Sequence, residues 1–539
     1  MENMKKKAWL TQYPEGIASE IEIPNKSLPD ILHETTIHYP TNNALSFFGR
    51  KMTYQELLGT SNRFAAALQN NDVKKGDRVA IMLPNCPQYV IAYYGALSMG
   101  GIVTQINPML VARELEYILQ DSEAETIIVM DAFYQTVKAV QSTTNLKNII
   151  VVSLQPSGAE FGDDWTFERF ISETVMPVEP VVIDPSHDVA VLQYTGGTTG
   201  RSKGAMLTHR NLVANIYQTK EFYKQLVNKG KERYLTVIPL FHVFGMTACM
   251  NNCILMASEN ILLPRFDLEE VLQTIKQEKP TIFPGVPTMY VAINAHPKAK
   301  EYGIDSIKIS NSGSAPMPME LMREYESKTY SKILEGYGLS EASPVTHCNP
   351  DFGVRKPGTV GIPFPSTDCK IVDVATGVEE VPVGELGELI VKGPQIMKGY
   401  WNMPEETAVA LRDGWLYTGD IARMDEDGYL TIVDRKKDLI IASGYNIYPR
   451  DVEEVLYEHP SVQEAVVIGV PDEYRGETVK AILVLKANET ATEKEIIEYC
   501  KGNMAAYRVP TIVEFRDELP KTNVGKILRR ALREEVQTK

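Results

Sequence analysis

Residues 192–204 read Leu-Gln-Tyr-Thr-Gly-Gly-Thr-Thr-Gly-Arg-Ser-Lys-Gly, a run suited to wrapping a polyphosphate. Gly196, Gly197 and Gly200 let the backbone turn inward, Thr195, Thr198 and Thr199 supply hydroxyl donors, and Lys203 supplies a point charge. Neither common phosphate loop fits: Gly-x-Gly-x-x-Gly is absent here, and Lys203 lies between Ser202 and Gly204, where a Walker A loop needs Gly-Lys-Ser/Thr. Taken alone, the run could equally be a polar surface turn. Four further segments bear on the choice. Residues 311–316, Asn-Ser-Gly-Ser-Ala-Pro, end a strand with small residues that let a flat ring approach the backbone. Residues 335–341, Glu-Gly-Tyr-Gly-Leu-Ser-Glu, offer an aromatic face, a hydroxyl and a carboxylate in one turn. Residues 417–420, Tyr-Thr-Gly-Asp, place an acid suited to ribose hydroxyls. Residues 519–530 form a basic tail ending in Gly-Lys-Ile-Leu-Arg-Arg, with no acid from Lys521 to Arg533.

These groups need elements to hold them. An apolar run at 189–192 predicts a strand whose carboxyl end carries the glycine-threonine loop, where open α/β sheets bind ligands. Strand candidates at 78–82, 101–106, 126–130 and 148–152 alternate with helical patterns, as βαβ units do. A second series follows at 234–238, 261–263, 281–283 and 307–310, with a helix over 268–277. After Pro350 come short strands at 369–372, 388–391 and 429–433 between Gly- and Pro-rich turns, a small β-rich unit. A charge run, Asp-Arg-Lys-Lys-Asp, follows from Asp434, and about a hundred residues beyond it suffice for a small domain. By pattern alone that run is a solvated β-turn.

The bulk numbers narrow the function. At 539 residues the chain exceeds what one core sustains, and 44% hydrophobic with 23% charged residues is ordinary globular composition. A formal charge of −15 argues against non-specific nucleic-acid binding and a polybasic membrane anchor. Six dispersed cysteines without a Cys-x-x-Cys pair read as reduced thiols of a cytosolic protein, with Cys249 and Cys253 on one face of a buried helix. The N-terminus lacks the apolar stretch of a secretory signal. Residues 86–112 carry no charge, but Gly100, Gly101 and Pro108 interrupt them, which suits a buried helix and strand better than a membrane span.

In this order, the motifs resemble those of the adenylate-forming superfamily of acyl-CoA synthetases, luciferases and adenylation domains, from about Tyr54 to Arg530. The version at 194–200 and that at 413–438 are most similar to bacterial long-chain fatty-acid-CoA ligases. The resemblance implies an α/β fold: a larger domain, 1–436, with two doubly wound βα layers and a β-barrel-like unit, and a mobile α+β domain, 437–539, joined by a hinge. It implies ATP, Mg²⁺ and CoA as cofactors. Thr195, Gly196, Gly197, Thr198, Thr199 and Gly200 with Lys203 would hold the departing phosphates. Gly313, Ser314, Ala315 and Tyr337 would enclose adenine, Glu335 and Gly336 would be further cofactor-binding positions, and Asp420 and Arg435 would bind ribose. Ser340 would contact phosphate and Glu341 would hold the metal. Lys526 would be the catalytic lysine, Lys437 the hinge and Gly444 part of the pantetheine path, while His242 would stand between acyl carboxylate and phosphates. Gly197, Ser202 and Ser340 replace the serine, proline and threonine usual in these motifs, and none of the three exchanges puts adenylation in doubt.

The chemistry explains the demand for cations. A carboxylate becomes an acyl donor once joined to AMP, and its attack on a polyanion requires charge neutralisation where charge builds up. The thiol step then needs that lysine elsewhere, so domain movement is expected. Residues 235–258, uncharged and holding Phe241, Val243, Phe244, Met246 and Met250, could line an acyl tunnel or be core. Competing readings are adenylation of an aryl or other acid for CoA or carrier-protein loading, a luciferase-like oxygenase, and a silent nucleotide sensor. Expected partners are a fatty acid, ATP and CoA, with no nucleic acid and no transmembrane segment. Weak peripheral contact with the inner membrane face and a homodimer stay open.

Overall fold

The computed structural model describes residues 7–13, 15–155, 160–174, 177–195, 202–315, 317–329, 331–351, 353–436, 438–442, 445–472, 475–522 and 527–537. Continuous apolar runs such as Thr126–Met130 and Asn148–Val152 bury both faces and form inner strands of an eight-stranded sheet. Six of its strands are parallel, from Val189–Thr195 through Ile102–Gln105 and Arg78–Met82 to Trp165–Thr166. Past Val189–Thr195 the sheet turns antiparallel, adding Lys203–Thr208 and then Gly399–Tyr400 at the edge. The uncharged stretch 86–112 becomes the helix Pro87–Ser98 and the strand Ile102–Gln105, both buried. No helix among the described residues is long and apolar enough to cross a membrane.

A nine-stranded sheet stands beside the first, and one hydrophobic core joins them. Its parallel centre comprises Lys332–Gly338, Ile309–Ser312, Ile282–Gly285, Arg233–Thr236, Glu259–Leu262 and Asn43–Phe47. Asn43–Phe47 departs from the sequence reading, because it precedes the first sheet yet pairs with Glu259–Leu262 in the second. The predicted helix at 268–277 runs over Leu268–Glu278, capped by Asp267. Cys249 and Cys253 also differ from expectation: they straddle a wide π-helical segment, Phe244–Asn251, and a short α-helix, Asn252–Leu255, though both thiols are buried.

The small β-rich unit is a five-stranded antiparallel sheet, with Asp368–Val372, Gly387–Lys392 and Trp415–Met424 in succession. Leu430–Arg435 is its last strand and pairs with Trp415–Met424. Ile440–Ala442 then opens a separate sheet containing Val462–Asp472 and Gly476–Leu485. That smaller unit has hydrophobic clusters of its own, built from residues after 439, and it carries the helices Pro449–Tyr457, Glu493–Asn503 and Arg529–Gln537.

Candidate active site

A cavity of about 2250 Å³ opens where the two parallel sheets, the small β-rich unit and the smaller C-terminal unit meet. A single-ligand pocket is ~300–1,000 Å³, so this space suits several ligands at once. The strand Val189–Thr195 delivers Thr195 to its wall, and Ser202 and Lys203 return on the next strand. Gly196, Gly197, Thr198, Thr199 and Gly200 lie outside the described residues. Lys203 forms an ion pair with Glu406, and its ammonium lies 5.2 Å from the Tyr400 ring centroid. The Tyr400 hydroxyl donates to Glu341 Oε1 at 2.7 Å. Burial and the adjacent Glu341 carboxylate push the phenol's pKa upward. One aromatic side chain thus touches both the loop lysine and the acid expected to hold metal.

The other face of the cavity comes from the second sheet. Ile309–Ser312 leads into Gly313, Ser314 and Ala315, and Lys332–Gly338 brings Glu335, Gly336 and Tyr337 alongside. A Cβ on Gly313 would sit 3.3 Å from the Phe244 ring, so a side chain there would crowd this corner. Tyr337 donates a 2.5 Å hydrogen bond to Asp420 Oδ2, and Asp420 Oδ1 lies 3.3 Å from Arg435 Nε. Asp420 and Arg435 are direct cross-strand partners, which fixes that pair through backbone register. Ser340 and Glu341 follow in a 3₁₀ turn at the cavity wall.

Glu335 is buried, and burial raises its carboxyl to about 7 although Arg450 opposes the shift. Its Oε1 accepts from the Met317 backbone N–H at 3.1 Å, whereas for Oε2 no hydrogen-bond partner is found among the described residues. His242 accepts from the Phe244 backbone N–H through Nδ1 at 3.3 Å and reaches the cavity between the two sheets. Phe241, Val243 and Phe244 line the cavity, while Met246 and Met250 are fully buried in the shared core. A deeper branch follows one face of the second sheet, where Tyr234, Ile282 and Ile309 stand in register. From Ile309 to Gly313 the strand direction advances about 13 Å.

The smaller unit closes the remaining side. Lys521, Thr522, Ile527 and Leu528 line the cavity on either side of the segment that contains Lys526. Lys526, Lys437 and Gly444 themselves lie outside the described residues. Residues that the sequence reading missed are Tyr400, Glu406, Asp434, Arg450 and Arg529. Asp434 opens the charge run and Arg529 stands in the basic tail, but neither motif shows their pairing; Tyr400, Glu406 and Arg450 belong to no motif and enter through distant segments.

A model described as the AMP-binding enzyme matches residues 32–401, and one described as the AMP-binding enzyme C-terminal domain matches residues 451–526. The chain belongs to the AMP-binding enzyme family. This AMP-binding enzyme is 49% identical to a protein of Bacillus subtilis named long-chain-fatty-acid–CoA ligase, over 98% of each chain. It is 40% identical to one of the same name from Escherichia coli, over 99% of each. Among solved structures it resembles ATP-bound MatB from Rhodopseudomonas palustris, at 31% identity and a TM-score of 0.86 over 95% of this chain and 99% of MatB. Apo MatB, equally covered, gives a TM-score of 0.76.

Proposed function

We propose that the chain activates a long-chain fatty acid with ATP, forming acyl-adenylate and pyrophosphate, and then transfers the acyl group to CoA with release of AMP. Near-complete coverage of ligases of that name, at up to 49% identity, carries the reading. In this scheme Gly313–Ala315 and Tyr337 hold adenine, while Asp420 and Arg435 hold ribose. The loop 195–200 with Lys203 receives the departing pyrophosphate, and Ser340 contacts phosphate. His242 separates the carboxylate from the phosphates, and the acyl chain follows the apolar branch toward Tyr234 and Ile282. Lys526 neutralises charge between the attacking carboxylate and the α-phosphate, where oriented positive charge lowers the barrier most.

Glu341 suits a hard divalent cation. Its side chain faces the cavity wall, and no group of three His, Cys, Asp or Glu side chains among the described residues makes a metal cage. Mg²⁺ is commonly held by one or two carboxylates together with substrate phosphates, a mode that needs no cage. When bound, such an ion would offset phosphate charge. We assign residues 1–436 to an adenylation domain and 437–539 to a domain that turns about Lys437, bringing Gly444 to the pantetheine path for the thiol step.

The deciding experiment follows pyrophosphate and AMP release with ATP, Mg²⁺ and palmitate, with and without CoA, then across acid lengths and aromatic acids. Palmitoyl-CoA formation that depends on all components is expected. Strong preference for an aromatic acid would replace the fatty-acid reading, and absence of acid-dependent pyrophosphate release would remove the ligase reading altogether.

A further inference from the structure

The helix Arg529–Gln537 starts three residues after Lys526, and its first side chain meets three carboxylates. Arg529 Nη2 donates to Glu453 Oε1 and Oε2 at 2.7 and 2.6 Å. Its Nη1 lies 3.8 Å from Asp434 Oδ1 and 4.0 Å from Asp438 Oδ2. One turn further on, Arg533 donates to Asp438 Oδ1 at 2.8 Å and to the Asp438 carbonyl at 3.2 Å.

These acids belong to three different pieces of the molecule. Asp434 is on Leu430–Arg435, the last strand of the β-rich unit; Asp438 lies in the connecting segment; Glu453 is on Pro449–Tyr457 of the smaller unit. The side chain of Asp434 is 1% exposed, and those of Asp438 and Glu453 are 12% exposed. An exposed ion pair adds little to stability or orientation, whereas a buried carboxylate that loses its countercharge is strongly penalised. Asp434 is further fixed by the backbone N–H groups of Arg435, at 2.7 Å, and Arg450, at 3.1 Å. It therefore presents a rigid anchor directly beside Arg435 and the Asp420 cross-strand pair.

The Arg529–Glu453 pair lies within the smaller unit and travels with it. The Arg529–Asp434 contact instead spans two units, and rotation of one against the other would separate it. We infer that Arg529 is a positioning residue for the adenylation half-reaction: through Asp434 it seats the smaller unit, whose Lys521, Thr522, Ile527 and Leu528 line the nucleotide cavity, against the β-rich unit. The inference rests on the ligase reading above.

The test separates the two half-reactions in the full chain. Fatty-acid-dependent exchange of pyrophosphate into ATP reads adenylation, and CoA thioester formation from supplied acyl-adenylate reads the second step. Arg529→Gln is expected to slow exchange by about tenfold or more while thioester formation stays within about twofold. Arg529→Lys, which keeps the charge without the planar fork, should recover part of the exchange rate. Asp434→Asn leaves the Arg529–Glu453 pair intact and should reproduce the split; if Arg529→Gln unfolds by circular dichroism, this variant decides. Equal loss of both half-reactions in the folded variants, or unchanged exchange, would overturn the inference while an active parent keeps the ligase reading. A parent inactive in both steps would overturn both.

Discussion

The Tyr337 hydroxyl donates to Asp420 Oδ2 at 2.5 Å while Asp420 Oδ1 faces Arg435 Nε at 3.3 Å, so one strand of the second sheet is tied to two strands of the β-rich unit. Burial and the neighbouring carboxylate raise the Tyr337 phenol pKa far above its ordinary value, which keeps its proton in this bond. Tyr337→Phe should leave the chain folded and raise KM for ATP by about tenfold, the scale of one lost hydrogen bond to a charged group. Steady-state kinetics with ATP varied checks this; an unchanged KM would detach the hydroxyl from nucleotide binding.

Lys203 is held by Glu406, whose side chain is half exposed. Incoming phosphates must displace that carboxylate. Glu406→Gln should therefore lower KM for ATP by about twofold, a modest effect because partly exposed ion pairs are weak. The gain should shrink with added salt. An increase in KM would instead make Glu406 a contributor to binding.

Lys526→Ala should slow adenylation about a hundredfold or more, as losing a transition-state charge partner commonly does. Lys437→Pro should spare adenylation and impair thioester formation. Pyrophosphate exchange and thioester assays on each variant distinguish these roles, and parallel losses in Lys437→Pro would contradict a hinge.

Burial lifts the Glu335 carboxyl from 4.5 to about 7. The folded chain therefore keeps a proton that the unfolded chain has released between those values. This contribution to stability is complete below 4.5 and is lost as pH rises through 7. Glu335→Gln cannot ionise, so relative to the parent it should gain on the order of 3 kcal/mol between about pH 5 and about pH 8. Urea midpoints at both pH values measure it; a difference independent of pH would show that Glu335 does not titrate in this window.

A Cβ on Gly245 would lie 2.2 Å from the Pro239 carbonyl oxygen, a distance no relaxed contact allows. Gly245→Ala should cost about 1–3 kcal/mol, as overpacking does, and should shift the turn that carries His242 and Phe244. A thermal midpoint equal to the parent's would refute this.

The strands at 78–82, 126–130 and 148–152 match Arg78–Met82, Thr126–Met130 and Asn148–Val152 to the residue, because uninterrupted apolar runs in a buried parallel sheet have few ways to shift. The run at 234–238 instead forms a strand at Arg233–Thr236, since Val237 and Ile238 are buried in the turn leading to Pro239 without strand pairing. Asn43–Phe47 was not legible, because its pairing partner Glu259–Leu262 lies about two hundred residues away. The same limit governs the site. Gly313, Tyr337, Glu341 and Asp420 stand in short motifs with readable spacing. Tyr400, Glu406 and the Arg529–Asp434 contact acquire meaning from distant pairings that local sequence does not encode.

Gly399–Tyr400 covers the outer edge of Lys203–Thr208, which is otherwise the open border of the first sheet. During synthesis that border stays bare from the appearance of Lys203 until Tyr400 has left the ribosome, an invitation to pairing with other chains. The partners Asp420 and Arg435 emerge later still. Nascent chains therefore lack a finished ribose-binding pair until Arg435 has emerged, long after the glycine-threonine loop.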